Sequence, residues 1–208
     1  GQILRNIEEI PHEHRHRAFA ALAHRLDAEL MERRALITKR HTTHVHDIHG
    51  DLHLGNITFL EDVPLPFDGI EFSVELGSGD AWSDLGFLTM DLSAHKRPDL
   101  AVRAVNTYLE ESDDFEGVPL LPLYAAYRAL VRAKVHLLSG SDTDDTDTVD
   151  RYLDTATDAL ERTSLHLIAI GGFSGSGKTT LARALAARLG AVVIRTDVIR
   201  QHLLGLRP

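Results

Sequence analysis

Apolar side chains recur at helical spacing in the first part of the chain. This spacing predicts a long helix from Pro11 to about Lys39, with Pro11 in its first turn. The residues on its apolar face are Phe19, Leu22, Leu26, Leu30 and Met31. Similar spacing predicts three more helices between Trp82 and Gly140. This part of the chain is therefore expected to be mostly helical.

Shorter apolar runs predict strands. The run Ile57 to Leu60 predicts a short strand, followed by a turn at Asp62 to Pro64. The run LHLIAIGG, which begins at Leu165, is almost continuously apolar, as buried parallel strands are. An amphipathic helix with Gly190 at its C-cap and a second strand, Ala191 to Ile194, follow it. We expect the start of an α/β unit with a parallel sheet here.

Composition limits the classes of protein that fit. The 208 residues are 43% hydrophobic, which is enough to form a core in one domain or two small ones. A net charge of −9 argues against a nucleic-acid-binding surface, because phosphate contacts need clustered Lys and Arg. No apolar run approaches the roughly 18 residues that a membrane-spanning helix needs. The absence of cysteine fits a reducing cytoplasm.

The run SDTDDTDTVD, Ser141 to Asp150, is the clearest change in composition along the chain. Its carboxylates repel one another and it has almost no apolar residue, so we expect a mobile loop followed by a helix from about Val149 to Thr163. A calcium loop is conceivable, but a solvated linker is preferred because no glycine or final glutamate occupies the EF-hand positions. These patterns divide the chain into residues 1–140, an acidic linker and helix at 141–164, and residues 165–208.

The stretch HGDLHLGNI, His49 to Ile57, contains the residues that a phosphotransferase needs. In the kinase catalytic loop HRDLxxxN, an Asp accepts the proton of the attacking hydroxyl and an Asn holds Mg²⁺. Asp51 and Asn56 have the same spacing in sequence as that Asp and Asn. Gly50 stands where that pattern has Arg. The stretch resembles the catalytic loop of the aminoglycoside phosphotransferase family, which implies that Asp51 is the catalytic base and Asn56 a metal ligand.

Two further motifs follow in the order of that family. PLPFDGIEFS places Asp68 at the end of an apolar run, where the resemblance implies the metal-binding role of the Asp in DFG. GDAWSDLGFL is similar to the family motif GDPxxDLA, with Ala81 where Pro is usual. We interpret Asp84 as a structural acid that orients the catalytic loop, and the apolar residues after it as core. Those residues are Leu85, Phe87 and Leu88.

The histidines around this loop suggest another kind of site. The run HVHDIHGDLH, His44 to His53, is similar to the HxHxDH zinc cluster of metallo-β-lactamase-like hydrolases. That pattern needs an acid directly before the third His, but Ile48 holds that position and Asp47 comes one residue earlier. Alternation along His44, His46 and Ile48 is also what a strand entering the loop would show. A zinc hydrolase therefore stays as the remote alternative.

The second motif with chemistry is GFSGSGKT, Gly172 to Thr179, which fits the Walker A pattern in full. Glycines let successive backbone N–H groups surround a phosphate, Lys178 places a positive charge near the β and γ phosphates, and the Thr179 hydroxyl ligates Mg²⁺. The predicted ATP-binding residues are Gly172, Ser174, Gly175, Ser176, Gly177, Lys178, Thr179 and Thr180.

After the second predicted strand comes TDVIR, which resembles the SDxxR motif of small P-loop kinases in the neighbourhood of gluconate and polynucleotide kinases. The resemblance implies that Asp197 lies beside an acceptor hydroxyl and that Arg200 helps to fix phosphate or substrate. A helix N-cap role explains Asp197 equally well.

Together these motifs resemble the bifunctional aminoglycoside phosphotransferase and ATP-binding proteins of bacteria, whose second unit is AAA-family ATPase-like. The resemblance implies an α+β chain, with a mostly helical kinase-like C-terminal lobe at 1–140 and the start of a P-loop NTPase domain at 165–208. It also implies two ATP sites with Mg²⁺ and a small-molecule hydroxyl acceptor. The function expected is ATP-dependent phosphotransfer. The alternative is an ATP-sensing module with a kinase-like lobe that transfers no phosphate.

Several sequence motifs of a complete kinase have no match in this chain. Gly1 is the only glycine before Gly50, and Lys39 the only lysine before Asp51, so the glycine-rich loop and strand lysine of a kinase N-lobe have no counterpart. We therefore expect an internal fragment that lacks the N-lobe and ends before a Walker B acid. The fragment by itself is expected to be inactive and to bind nucleotide weakly, with activity belonging to the full-length protein.

Overall fold

The computed structural model describes residues 13–139, 144–161 and 164–205. Within these ranges the chain is mostly helical, with short strands around one loop. The helices are α1 (Glu13–Glu32), α2 (Arg34–Thr43), α3 (Ala81–Ala94), α4 (Pro98–Ser112), α5 (Leu121–Ser139), α6 (Asp144–Leu160), α7 (Lys178–Leu189) and α8 (Thr196–Leu203). The strands are β1 (His46–Asp47), β2 (Ile57–Leu60), β3 (Val63–Pro66) and β4 (Ser78–Gly79). Short 3₁₀ helices cover Leu54–Asn56 and Phe115–Leu120.

The long helix predicted at the start is two helices. Arg33, with ψ of 5°, interrupts it between α1 and α2, and the second helix continues to Thr43. The Arg33 guanidinium donates to the Pro119 carbonyl at 2.8 Å, which ties the break to the 3₁₀ helix before α5. The predicted start at Pro11 lies outside the described residues. The three helices predicted between Trp82 and Gly140 are confirmed as α3, α4 and α5.

The segment between α2 and α3 contains two antiparallel strand pairs. Strand β2 is confirmed at Ile57–Leu60 and forms a hairpin with β3, in which Ile57 lies opposite Pro66. The turn is at Glu61 and Asp62, both with positive φ, and not at Asp62 to Pro64. Strand β1 pairs with β4, so residues 46–47 and 78–79 close the segment at its base.

The core lies where α1, α3, α5 and α6 meet. Alanines on one face of α5 leave room for its neighbours, and Gly86 lets α3 approach so closely that a Cβ there would be 2.6 Å from Cβ of Tyr124. Large buried side chains fill the remaining space. They include Phe19, Phe87, Met90, Leu130 and Tyr152.

The acidic run is more ordered than predicted. Helix α6 begins at Asp144, within the run predicted as a mobile loop. Residues 140–143 lie outside the described part of the chain, and so does the predicted helix end at 162–163. Carboxylates in the first turn of a helix are favoured by its dipole, which offsets their mutual repulsion. A buried stripe then packs α6 into the core: Val149, Tyr152, Leu153, Ala156 and Leu160.

In the P-loop part of the chain, the predicted helix cap is formed but the two predicted strands are not. Helix α7 ends at Gly190, which has φ of 65° as a left-handed C-cap, so that prediction is confirmed. The two strands predicted at 165–171 and 191–194 are not formed, and the described residues contain no parallel sheet. A strand is defined by ladder hydrogen bonds with a neighbour. In the second segment the Asn106 side chain makes two such bonds instead, donating to Ala191 O at 3.0 Å and accepting from Val193 N at 2.6 Å.

No helix in the described ranges combines the length and the apolar character that crossing a membrane requires.

Candidate functional site

The loop His49–Ile57 is held from below by α3. Both carboxylate oxygens of Asp84 accept backbone N–H groups of the loop, Oδ2 from His49 at 2.6 Å and Oδ1 from Gly50 at 2.9 Å. Asp84 lies in the first turn of α3, whose N-cap Asp80 accepts from the Trp82 N–H. This arrangement confirms the prediction that Asp84 orients the loop.

Arg128 of α5 holds the carbonyl of Gly50. The Arg128 guanidinium donates to the Gly50 carbonyl at 2.9 Å and lies over the Phe87 ring, 4.7 Å from its centroid. Gly50 has φ of +78°, and a Cβ there would be 2.8 Å from the Leu76 carbonyl oxygen. Only glycine fits this position without strain. Sequence analysis assigned no role to Arg128, because its spacing on α5 does not reveal which loop it meets.

Asp51 and Asn56 lie together on this loop. The Asn56 amide nitrogen donates to two oxygens of Asp51, the backbone carbonyl at 3.0 Å and the carboxylate Oδ2 at 3.1 Å. His53 Nε2 is 3.5 Å from the same Oδ2. His53 Nδ1 accepts from the Gly55 N–H, so a neutral His53 ring carries its proton on Nε2, toward Asp51. Both contacts fall on Oδ2, which leaves Oδ1 of the half-exposed Asp51 carboxylate for another proton donor.

The hairpin β2–β3 returns Asp68 to the loop. The chain on both sides of Asp68 is hydrogen-bonded to the loop. Phe67 N, directly before Asp68, donates to Asn56 O at 3.0 Å, and Ile70 N, two residues after it, donates to His49 O at 2.9 Å. Asp68 is exposed and has φ of 60°. Asp68 is thereby held next to the segment that carries Asn56.

The donor chemistry of Asn56 and Asp68 fits Mg²⁺. Because the Asn56 nitrogen has two oxygen acceptors, the orientation of its amide is fixed and Oδ1 is the atom left for a cation. Mg²⁺ prefers oxygen ligands and is usually held by one or two protein groups together with substrate phosphates. These two side chains can supply that share of a coordination shell.

The histidines do not form a zinc site. Within the described residues no three His, Asp or Glu side chains converge so that they could hold a metal ion. His44 faces Asp114 at 3.9 Å, His49 Nε2 bonds the Phe67 carbonyl at 2.8 Å, and His53 faces Asp51. The histidine cluster on which the zinc alternative rests is therefore not formed among the described residues, because His44, His49 and His53 are directed to different partners.

A buried ion cluster fixes the N-terminus of α3. Arg40, 1% exposed, donates to both oxygens of Asp80 and both oxygens of Asp114 at 2.6–3.0 Å. Trp82 Nε1 also donates to Asp114, at 2.8 Å. Burial alone would raise the pKa of Asp114, but the hydrogen bonds from Arg40 and Trp82 outweigh it and lower that pKa. Hydrogen bonding by Asp80 is the largest cause that raises the pKa of Arg40.

Two more buried polar residues support the loop, and sequence analysis missed both. Asp91 of α3 accepts the Leu54 N–H at 2.9 Å on Oδ2 and the Tyr152 hydroxyl at 2.9 Å on Oδ1. Asp91 stands seven residues after Asp84, so it lies on the same face of α3 two turns later. That spacing was the available signal for Asp91; nothing in the sequence indicates Tyr152.

The Walker A segment forms a turn before α7. Gly172, Gly175 and Gly177 all have positive φ, and Gly177 precedes the first residue of the helix. The Lys178 ammonium donates to the carbonyls of Gly172 at 2.7 Å and Phe173 at 2.5 Å, so it lies across the loop. Lys178, Thr179 and Thr180 form the first turn of α7, where N–H groups and the helix dipole favour an anion.

Asp197 lies in the first turn of α8, and its carboxylate pairs with Arg195 at 2.7 Å. This hydrogen bond lowers the pKa of Asp197.

Helix α7 lies beside α4, where Arg183 donates to both carboxylate oxygens of Glu110. The hydrogen bonds of Lys178 and Asp197 stay within the P-loop part, and those of Asp51 stay within its own loop.

Comparison with known proteins supports the second site. Residues 167–208 match the model of a family described as AAA domain. This part of the chain is therefore similar to P-loop nucleotide-binding units, which typically bind nucleotide with Mg²⁺.

The chain has relatives that are described as uncharacterized. These proteins, from Mycobacterium bovis and two strains of Mycobacterium tuberculosis, are 38% identical to this chain over 159 residues. The match covers 76% of this chain but 32% of each relative, so the chain spans about a third of their length. No solved structure matches the chain.

Proposed function

We propose that the protein is an ATP-dependent phosphotransferase that acts on a small hydroxylated molecule, with the loop His49–Ile57 as its catalytic loop. One observation carries the proposal: Asp51, Asn56 and Asp68 are held on two hydrogen-bonded segments, and Asp84 fixes the backbone directly before Asp51. Phosphoryl transfer needs a base, metal ligands and rigid positioning, and these residue types can supply all three.

Asp51 acts as the base. Its Oδ2 is occupied by Asn56 and His53, so Oδ1 accepts the proton of the acceptor hydroxyl while the hydroxyl oxygen attacks the γ-phosphorus of ATP. The bond from that phosphorus to the β–γ bridging oxygen breaks, and ADP leaves. Asn56 Oδ1 and the Asp68 carboxylate would hold Mg²⁺, which supplies positive charge to the phosphates.

The P-loop unit is proposed to bind a second ATP. Lys178 would exchange its contacts with the loop carbonyls for the β and γ phosphates, and the Thr179 hydroxyl would ligate the accompanying Mg²⁺. Asp197 is proposed to lie beside the acceptor hydroxyl of this unit. Its pairing with Arg195 lowers the pKa of the carboxylate and keeps it ionised, so it is available as a hydrogen-bond acceptor for that hydroxyl.

The experiment is transfer of labelled γ-phosphate from ATP to a panel of sugars, aminoglycosides and nucleosides by the full-length protein. Asp51→Ala and Lys178→Ala are tested beside it. Loss of a labelled product in Asp51→Ala, with product retained in Lys178→Ala, is the expected result. Unchanged product in Asp51→Ala and loss in Lys178→Ala would overturn the proposal and favour a kinase-like lobe that only senses ATP.

A further inference from the structure

Asp91 joins two elements that are far apart in sequence. One of its carboxylate oxygens accepts the Leu54 N–H of the catalytic loop, and the other accepts the Tyr152 hydroxyl of α6, each at 2.9 Å. Asp91 and Tyr152 are each 2% exposed. A buried carboxylate is stable only when its oxygens are hydrogen-bonded, so the Tyr152 hydroxyl helps to keep Asp91 in place against the loop.

The Leu54 N–H has a particular position in the site. Leu54 is the first residue of the 3₁₀ helix Leu54–Asn56, and Asn56 is its last. The first N–H groups of a helix have no partner within it and need an outside acceptor. Asp91 supplies that acceptor, and it therefore fixes the turn that presents the Asn56 amide.

Helix α6 holds Tyr152 firmly. The Tyr152 ring stacks on His136 with centroids 5.8 Å apart, and the Arg132 guanidinium lies 5.8 Å from the ring centroid. Neighbouring apolar residues of α6 belong to the same core as α3 and α5. The hydroxyl is thus placed by a packed helix, and the segment predicted as an acidic linker and helix contributes to the site.

We propose that Tyr152 is a positioning residue for the metal ligand Asn56, acting through Asp91. The inference rests on the proposed function, because it takes Asn56 as a ligand of Mg²⁺. Removing the hydroxyl leaves Oδ1 of Asp91 with only the more distant His95 Nδ1, 3.5 Å away, so the carboxylate and the Leu54–Asn56 turn become more mobile. Metal affinity should then fall, while the fold keeps the Tyr152 ring and its packing.

The test measures Mn²⁺ affinity, from the electron paramagnetic resonance signal of free Mn²⁺, in the presence of a non-hydrolysable ATP analogue. The full-length protein is used, and every form also carries Lys178→Ala and Thr179→Ala, which remove the phosphate and metal contacts of the P-loop. The variants are Tyr152→Phe and Asn56→Ala. Tyr108→Phe is the matched control, because that hydroxyl also donates to a carboxylate, Asp114 at 3.4 Å, but makes no contact with the loop.

We expect Tyr152→Phe to weaken Mn²⁺ binding about three- to tenfold, less than the roughly 10- to 100-fold typical of groups in direct contact with a metal ligand. Tyr108→Phe should stay within about twofold of the parent. Unchanged affinity in Tyr152→Phe beside a clear loss in Asn56→Ala would overturn the inference alone. Unchanged affinity in Asn56→Ala would instead overturn the proposed metal site, and the inference with it.

Hydrogen exchange gives a second measurement that needs no metal. The peptide containing the Leu54 amide should exchange faster in Tyr152→Phe than in the parent or in Tyr108→Phe. Equal exchange in all three forms would contradict a positioning role for Tyr152, even if the affinities differed.

Discussion

Asp84 and Gly50 are 34 residues apart in sequence, yet Oδ1 of Asp84 accepts the Gly50 N–H at 2.9 Å in a buried contact. The other oxygen accepts the His49 N–H at 2.6 Å. A single carboxylate on α3 therefore fixes two successive peptides directly before Asp51. The orientation of the proposed base therefore depends on this pair of hydrogen bonds as well as on the Asn56 side chain that contacts the base.

Replacing Asp84 with Ala should damage both stability and activity. Two loop N–H groups lose their acceptor, and an unsatisfied buried donor costs about 1–3 kcal/mol, so we expect a loss of about 2–4 kcal/mol in unfolding free energy. Chemical denaturation of the variant measures it. Asp99→Ala is the matched control, since that carboxylate is half-exposed and forms its ion pair with Arg97 on the surface. Equal effects of the two substitutions would contradict the role of Asp84.

Gly50→Ala tests the loop conformation directly. A left-handed φ costs a non-glycine residue about 1–2 kcal/mol, and the added Cβ would lie 2.8 Å from the Leu76 carbonyl oxygen and 2.9 Å from Ile70 Cδ1. With the additional strain of overpacking, the loss should reach about 2–4 kcal/mol and be seen as a lower melting temperature. Gly171→Ala is the control, because a Cβ there meets nothing within 4 Å. A variant at Gly50 that melts like the control would refute the described geometry.

The pH dependence of stability should report the cluster around Arg40. Hydrogen bonds from Arg40 and Trp82 outweigh desolvation and lower the pKa of Asp114 in the folded protein, so the ionised form stabilises the fold. That contribution is present above the pKa of an unfolded-chain Asp, about 3.9, and is lost as pH falls through the lower folded value.

Thermal melts of the parent and of Asp114→Asn, taken from pH 7 to pH 3, measure this contribution. Asp114→Asn should be less stable at pH 7, and the difference from the parent should shrink as the pH falls below about 4. Asp99→Asn, an exposed partner of Arg97, should follow the parent closely. A constant difference between parent and Asp114→Asn across this range would show that Asp114 adds no pH-dependent stability.

Local patterns predicted much of the structure. The role of Asp84, strand β2, helices α3 to α5 and the Gly190 cap follow from motif spacing, periodicity and turn chemistry, all of which act over a few residues. The roles of Asp51, Asn56 and Asp68 stay predictions, although the structure places them on adjoining segments.

Partners that are distant in sequence could not be predicted in the same way. Arg40 has the sequence context of a surface residue near the end of α2, and only Asp80 and Asp114 make its burial possible. Periodicity tells which face of a helix is apolar but not which side chain of another helix it meets, so the bond between Asp91 and Tyr152 was missed. The apolar run at 165–171 predicted a strand, yet a strand also requires a partner, which periodicity does not supply.

The most direct test of the proposed chemistry is the single-turnover rate of phosphoryl transfer in Asp51→Asn, measured with the full-length protein, saturating ATP and the acceptor found in the labelling panel. Asn keeps the size of the side chain but accepts no proton. We expect the rate to fall by roughly 10²- to 10⁴-fold, with nucleotide affinity unchanged within about threefold. A rate equal to that of the parent would contradict Asp51 as the base and, with it, phosphotransfer by this loop.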